Sequence, residues 1–178
     1  ARLLHPFQAT ILATKRNAMN PRDSGYMPEG LGDPEGEFVH RLYPPQAIRS
    51  MFKECDFVVV TVPLTPETRG MIGAGELAAL KPGAYLVDIS RGGIVDHAAL
   101  VSLLKDRKLA GAALDVFPEE PLPEDSPLWK LSNVIITPHI SGNTPHYDER
   151  AVGLFAENLH RYLGGLPLYN RINLERGY

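Results

Sequence analysis

Phe57-Val58-Val59-Val60-Thr61-Val62 is the stretch on which the fold class turns. It is β-branched and apolar on both faces, the pattern of a strand in a parallel sheet covered on both sides. Other runs of strand length recur at Ala9–Thr14, Ala84–Ile89, Ala110–Leu114 and Val134–Ile136, with a shorter candidate at Glu37-Phe38-Val39. Helical patterns lie between them. Pro44 to Glu54 opens with two prolines, which suit a first helical turn, and carries Ile48, Met51 and Phe52 at helical spacing. Asp96 is placed to N-cap a helix with Leu100, Leu103 and Leu104 on one apolar face. A last helix, from about His146 to Leu163, is expected to bury Val152, Phe155, Ala156, Leu159, Tyr162 and Leu163 and to stop at Gly164-Gly165. Strand alternating with helix predicts an α/β fold with a doubly wound parallel sheet.

Composition narrows the function classes. At 178 residues, with 44% hydrophobic and 22% charged, the chain suffices for one domain with its own core and is no disordered or fibrous sequence. Sixteen glycines and sixteen prolines imply many loops, of which Asn17–Gly36 and Pro118–Pro127 are the longest. A net charge of −3 argues against nucleic acid or an anionic membrane as the main partner. Cys55 is the only cysteine, so neither an intrachain disulfide nor a CxxC metal site is expected. No apolar run approaches the roughly 20 residues of a membrane span. The first residues lack signal-peptide architecture, which points to the cytoplasm.

Ligands of an open parallel sheet bind outside the carboxyl ends of its strands. Arg91 follows the strand ending at Ile89 and precedes Gly92-Gly93, where the backbone is free to turn tightly. Asp115 ends the next strand, and Glu120 lies in its loop. His139 follows Val134–Ile136 and Thr137-Pro138, and precedes Ser141-Gly142. Singly, these read as a surface cation, a loop-capping aspartate, a solvated glutamate and a hydrogen-bonded histidine. The edge rule brings them together as one candidate site.

The strings around these positions resemble the D-isomer-specific 2-hydroxyacid dehydrogenases. The resemblance rests on Val58 to Ile72 (with Pro63-Leu64-Thr65-Pro66-Glu67-Thr68 at its centre), Leu80-Lys81-Pro82-Gly83-Ala84, Ile89-Ser90-Arg91-Gly92-Gly93-Ile94-Val95-Asp96, Ala113-Leu114-Asp115-Val116-Phe117 and Thr137-Pro138-His139-Ile140-Ser141-Gly142, and spans about Pro44 to Leu168. It implies a Rossmann-like NAD(P)-binding domain over 1–143 and, over 144–178, a helix and tail that return toward a substrate domain. It implies hydride transfer between NAD(P) and a D-2-hydroxy acid or 2-keto acid, in a homodimer. Arg91 would bind the substrate carboxylate and polarise the carbonyl, for which a planar guanidinium is suited. His139 would be the acid/base, and Glu120 the carboxylate that pairs with it and orients it. Val62, Pro63, Thr68, Ile89, Ser90, Asp115 and Gly142 would line the cofactor together with Arg91 and His139, Asp115 facing the nicotinamide amide. Family members acting on formate carry glutamine at the position of Glu120.

Two departures from the family pattern stand out. After the strand ending near Ala13, members that prefer NAD place a carboxylate for the ribose 2′-hydroxyl, whereas this chain reads Thr14-Lys15-Arg16-Asn17. Lys15 and Arg16 favour a 2′-phosphate and hence NADP over NAD; the alternative is two solvated surface cations. The family's first strand and G-x-G-x-x-G turn are also absent from these residues. In the strand order 3-2-1-4-5-6 that strand is central, so the runs at Ala9–Thr14 and Phe57–Val62 should lack a neighbour between them. The expectation is of part of a longer polypeptide, inactive by itself. Two alternatives stay open: a dinucleotide-sensing scaffold without catalysis, as in corepressors related to this family, and an inactive fragment.

Overall fold

The computed structural model describes residues 1–23, 25–28 and 30–174. In chain order the elements are β1 (Leu12–Thr14), β2 (Arg41–Tyr43), α1 (Ile48–Phe52), β3 (Phe57–Val60), α2 (Ala74–Leu77), β4 (Tyr85–Asp88), α3 (His97–Lys105), β5 (Gly111–Leu114), β6 (Val134–Ile136) and α4 (Tyr147–Leu163). Short 3-10 turns lie at His5–Phe7, Pro45–Ala47 and Pro127–Lys130. The fold is α/β and Rossmann-like, and all its strand pairs are parallel. Two compact units form: Gln46–Gly142, and Ala1–Pro45 together with the chain from Asn143 onward.

Gln46–Gly142 holds a four-stranded sheet in the order β3-β4-β5-β6, with Val58 opposite Leu86 and Leu86 opposite Ala112. Alternate residues divide its faces. Val58, Val60, Leu86, Ala112 and Leu114 are buried, as are Phe52, Leu77, Leu100 and Leu104 of the helices. Each fully buried leucine contributes about 2 kcal/mol of apolar burial. The other face is open: Phe57 is 66% exposed, Val59 51%, Tyr85 44% and Ile135 67%. The strand apolar on both sides is therefore covered on one side only among the described residues. Asp96 does cap α3, its carboxylate accepting from the Ala99 N–H at 3.0 Å. Four-residue α2 is too short to show periodicity in the sequence; Glu76 caps it through the Gly73 N–H at 3.1 Å and pairs with Arg49 of α1 at 2.7 Å.

In the other unit, β1 pairs only with β2, with Leu12 opposite Arg41. Neither β1 nor, in its own unit, β3 has a second strand partner among the described residues. The shorter candidate Glu37-Phe38-Val39 is not a strand. The Asp33 carboxylate takes the N–H groups of Glu37 and Phe38 at 2.9 and 3.1 Å, which bends the chain and delays pairing until Arg41. The predicted helix from Pro44 begins as the 3-10 turn at Pro45–Ala47 and becomes α only at Ile48.

α4 starts and stops where the sequence places it, but its apolar stripe is not buried: Val152 is 65% exposed, Phe155 68% and Leu163 77%. Its polar side is the side in use. Asn158 accepts from the Tyr169 N–H at 2.8 Å and donates to the Tyr169 carbonyl at 3.2 Å, and the Arg161 guanidinium lies 4.1 Å from the Tyr169 ring centre. Gly165, at φ 67°, turns the tail back for these contacts. No helix among the described residues is long and apolar enough to cross a membrane.

Candidate active site

The carboxyl ends of β4, β5 and β6 release three turns on one edge of the four-stranded sheet. After β4, the Asp88 carboxylate accepts from the Ser90 N–H at 3.0 Å and from the Ser90 hydroxyl, closing a tight turn. Arg91 emerges exposed at its tip, with one guanidinium N–H on the Ser90 carbonyl at 2.6 Å. Gly92 then passes against the chain leaving β5. A Cβ at Gly92 would sit 1.9 Å from the Phe117 carbonyl oxygen, so only glycine lets the two backbones approach this closely.

The β5 turn carries Glu120, which precedes a cis peptide bond to Pro121. Its carboxylate accepts from the Phe117 N–H at 2.9 Å with one oxygen and meets His139 Nδ1 at 2.8 Å with the other. The His139 contact, reinforced by the Phe117 N–H, holds the Glu120 carboxyl below its ordinary range. The ionised carboxylate only accepts, so Nδ1 is the donor, and Nε2 is the ring nitrogen that Glu120 leaves unengaged.

His139 lies in the left-handed region at φ 54°. Asp115 supplies the reason a non-glycine residue holds this conformation. Only 2% exposed, its carboxylate accepts from the Thr137 hydroxyl at 2.6 Å and from the Ile140 and Ser141 N–H groups, both at 2.9 Å. Burial by itself would raise the Asp115 carboxyl; the bonds from Ser141, Thr137 and Ile140 outweigh it and hold the group far below the usual carboxylate range. Asp115 thus clamps both flanks of His139. Those bonds occupy most of the acceptor positions that the sequence reading reserved for a nicotinamide amide.

Arg91, Glu120, His139 and Asp115 therefore gather on one edge. Val62 is half-buried, while Pro63, Ile89 and Gly142 are exposed, with open space beyond Gly142. Thr68 is spent on its own loop, donating to the Pro63 carbonyl at 2.6 Å and accepting from the Thr65 N–H at 2.8 Å. Ser90 is buried and its hydroxyl points inward to Asp88, so its side chain does not face this edge. Lys15 and Arg16 belong to the other unit, where Lys15 donates to the carbonyls of Pro21 (3.2 Å) and Arg22. Sequence reasoning missed Asp88 and the Gly92 approach; an aspartate closing an apolar strand was the one visible signal.

Comparison with known proteins agrees with this architecture. Residues 1–141 match the family described as D-isomer specific 2-hydroxyacid dehydrogenase, NAD binding domain. The chain is 42% identical over 125 residues to D-3-phosphoglycerate dehydrogenase of Archaeoglobus fulgidus, covering 70% of this chain and 24% of that one. It is 43% identical over 128 residues to glyoxylate reductase of Korarchaeum cryptofilum, covering 72% and 39%. It thus spans about a quarter to two-fifths of the length of these relatives. Among solved structures, a D-isomer specific 2-hydroxyacid dehydrogenase of Xanthobacter autotrophicus Py2 with NADPH and MES superimposes with a TM-score of 0.75 at 33% identity, covering 96% of this chain and 73% of that one. The NADPH-dependent glyoxylate/hydroxypyruvate reductase of Sinorhizobium meliloti gives 0.78 at 29%, covering 100% and 52%. The chain belongs to the D-isomer specific 2-hydroxyacid dehydrogenase family, and its match is to the family's NAD-binding domain.

Proposed function

We propose that the protein carrying this chain interconverts a D-2-hydroxy acid and its 2-keto acid with a nicotinamide dinucleotide. The observation that carries the reading is the Glu120–His139 pair at 2.8 Å, clamped by Asp115 beside the turn that presents Arg91. Arg91 keeps guanidinium N–H groups beyond the one on Ser90 for a carboxylate and an adjacent carbonyl oxygen. His139 Nε2 takes the hydroxyl proton in oxidation and returns it in reduction, while Glu120 stabilises the imidazolium. The exposed faces of Pro63 and Ile89 and the open space over Gly142 fit a flat heteroaromatic ring. The bound nicotinamide would supply the hydride acceptor or donor.

NADP is favoured over NAD, because Lys15 and Arg16 follow β1 where a 2′-hydroxyl reader would be a carboxylate. The two solved relatives above are described with NADPH or as NADPH-dependent. A homodimer is the assembly that the family resemblance supports.

The test is turnover of the full-length protein with glyoxylate or hydroxypyruvate and either NADPH or NADH. Arg91→Ala is expected mainly to raise KM for the keto acid, and His139→Ala to lower kcat by about 10²–10⁴-fold. Dinucleotide binding without turnover on any keto acid would move the reading to a sensing scaffold. Tighter binding of NADH than NADPH would remove the role given to Lys15 and Arg16.

A further inference from the structure

Beneath the candidate site lie a buried carboxylate and a half-buried imidazole that the proposed chemistry does not use. Asp88 is fully buried at the carboxyl end of β4. Its Oδ1 takes both Ser90 donors, while its Oδ2 has no hydrogen-bond partner. His97, the first residue of α3, faces it electrostatically, with its Nε2 buried and likewise without a partner. A carboxylate is costly to bury, and a turn after a strand can be closed without one.

What this placement gains is control of Arg91. The Ser90 N–H and hydroxyl are both held by Asp88, and the carbonyl of the same residue receives the Arg91 guanidinium at 2.6 Å. Each link is local: residue 88 fixes 90, and 90 anchors 91. The Asp115 N–H also donates to the Asp88 carbonyl at 2.9 Å, tying this turn to the strand whose carboxylate clamps His139. His97 reaches the next turn through Phe117. Its ring packs edge-on against Phe117 at 6.0 Å, and Phe117 supplies the N–H that orients Glu120.

We propose that Asp88 is a positioning residue that sets the direction of the Arg91 guanidinium toward a 2-keto acid carboxylate. This role rests on the dehydrogenase reading of the site. Burial pushes the Asp88 carboxyl up and the His97 imidazole down, and each partly offsets the shift in the other.

The experiment compares Asp88→Ala and Asp88→Asn in the full-length enzyme, with steady-state kinetics on glyoxylate, NADPH binding, and hydrogen exchange of the 86–95 backbone. Asp88→Ala is expected to speed exchange of the Ser90 amide and raise KM for glyoxylate, each by about tenfold, with the NADPH Kd within about twofold of wild type. Asp88→Asn keeps an oxygen that accepts from the Ser90 N–H, so it should recover most of the KM loss. A purely structural role would lower the active fraction and leave KM unmoved. Wild-type exchange and KM in Asp88→Ala overturn the proposal, as does an Asp88→Asn enzyme as impaired in KM as Asp88→Ala. If Asp88→Ala cannot be purified, Ser90→Ala reads the same contact from its partner: a severalfold rise in KM supports the proposal, and an unchanged KM overturns it. A wild-type enzyme inert toward every keto acid removes the dehydrogenase reading separately, because the exchange measurement does not depend on turnover.

Discussion

Asp115 and Glu120 are both carboxylates after β5, yet they do different work. Asp115 is buried and takes three donors from the His139 loop, whereas Glu120 is one-third exposed and holds the imidazole itself. For Asp115 the consequence is stability. Its native carboxyl lies far below the unfolded value of about 3.9, so its contribution is full above roughly pH 5 and declines as pH falls. Asp115→Asn should lower stability by about 2 kcal/mol at pH 7 and flatten the fall of the urea midpoint between about pH 5 and pH 3. Parallel pH dependences in both proteins would show that the clamp does not form in solution. For Glu120 the consequence, on the function proposed above, is turnover: Glu120→Gln removes the charge that would favour an imidazolium and is expected to lower kcat of the full-length protein about 10–100-fold, with KM for the keto acid nearly unchanged. Arg91, Glu120 and His139 were legible in the sequence because each follows a strand end. The clamp on His139 was not, since a carboxylate that accepts from backbone N–H groups 25 and 26 residues further along leaves no local trace.

Elements place the three turns, and their contact is made through a glycine. Gly92 and Phe117 touch backbone to backbone, and Gly92→Ala would put a methyl carbon within 1.9 Å of a carbonyl oxygen that cannot move without displacing the Glu120 turn. The expected outcome is loss of kcat/KM by at least about 100-fold in the full-length enzyme, with a destabilisation of about 1–3 kcal/mol seen in urea unfolding. A fully active Gly92→Ala enzyme would mean that the two turns are further apart than the structure places them. The pair Gly92-Gly93 was readable as a turn, but which glycine faced a neighbour was not, because that depends on the register of β4 against β5. Strand positions were legible to within one or two residues at β3, β4, β5 and β6, while β1 begins three residues after the start of its run at Ala9. They failed at β2, where Arg41-Leu42-Tyr43 is brief and mixed in polarity, while the more apolar-looking Glu37-Phe38-Val39 is captured by Asp33.

At the scale of the whole molecule, periodicity reported which faces are apolar without reporting what covers them. The sheet of Gln46–Gly142 shows this in numbers: Val58 and Leu86 are 6% and 0% exposed, and their neighbours Val59 and Tyr85 are 51% and 44%. A contiguous apolar patch of this kind is unusual on the surface of a soluble monomer. Phe57 and Tyr85 are stacked at 5.2 Å and so already protect one another, which leaves Val59 and Ile135 as the sites where the patch can be changed at least cost. Threonine keeps the β-branched shape that a strand favours and adds a hydroxyl that water satisfies. The 178-residue chain is therefore expected to bind a hydrophobic dye such as ANS strongly, and the double variant Val59→Thr, Ile135→Thr to bind it several times more weakly. Because both side chains are at least half exposed, stability should change by no more than about 1 kcal/mol in urea unfolding. A loss of about 2 kcal/mol or more would show that this face is packed against something in solution, such as a second copy of the chain, which light scattering at the same concentration would reveal.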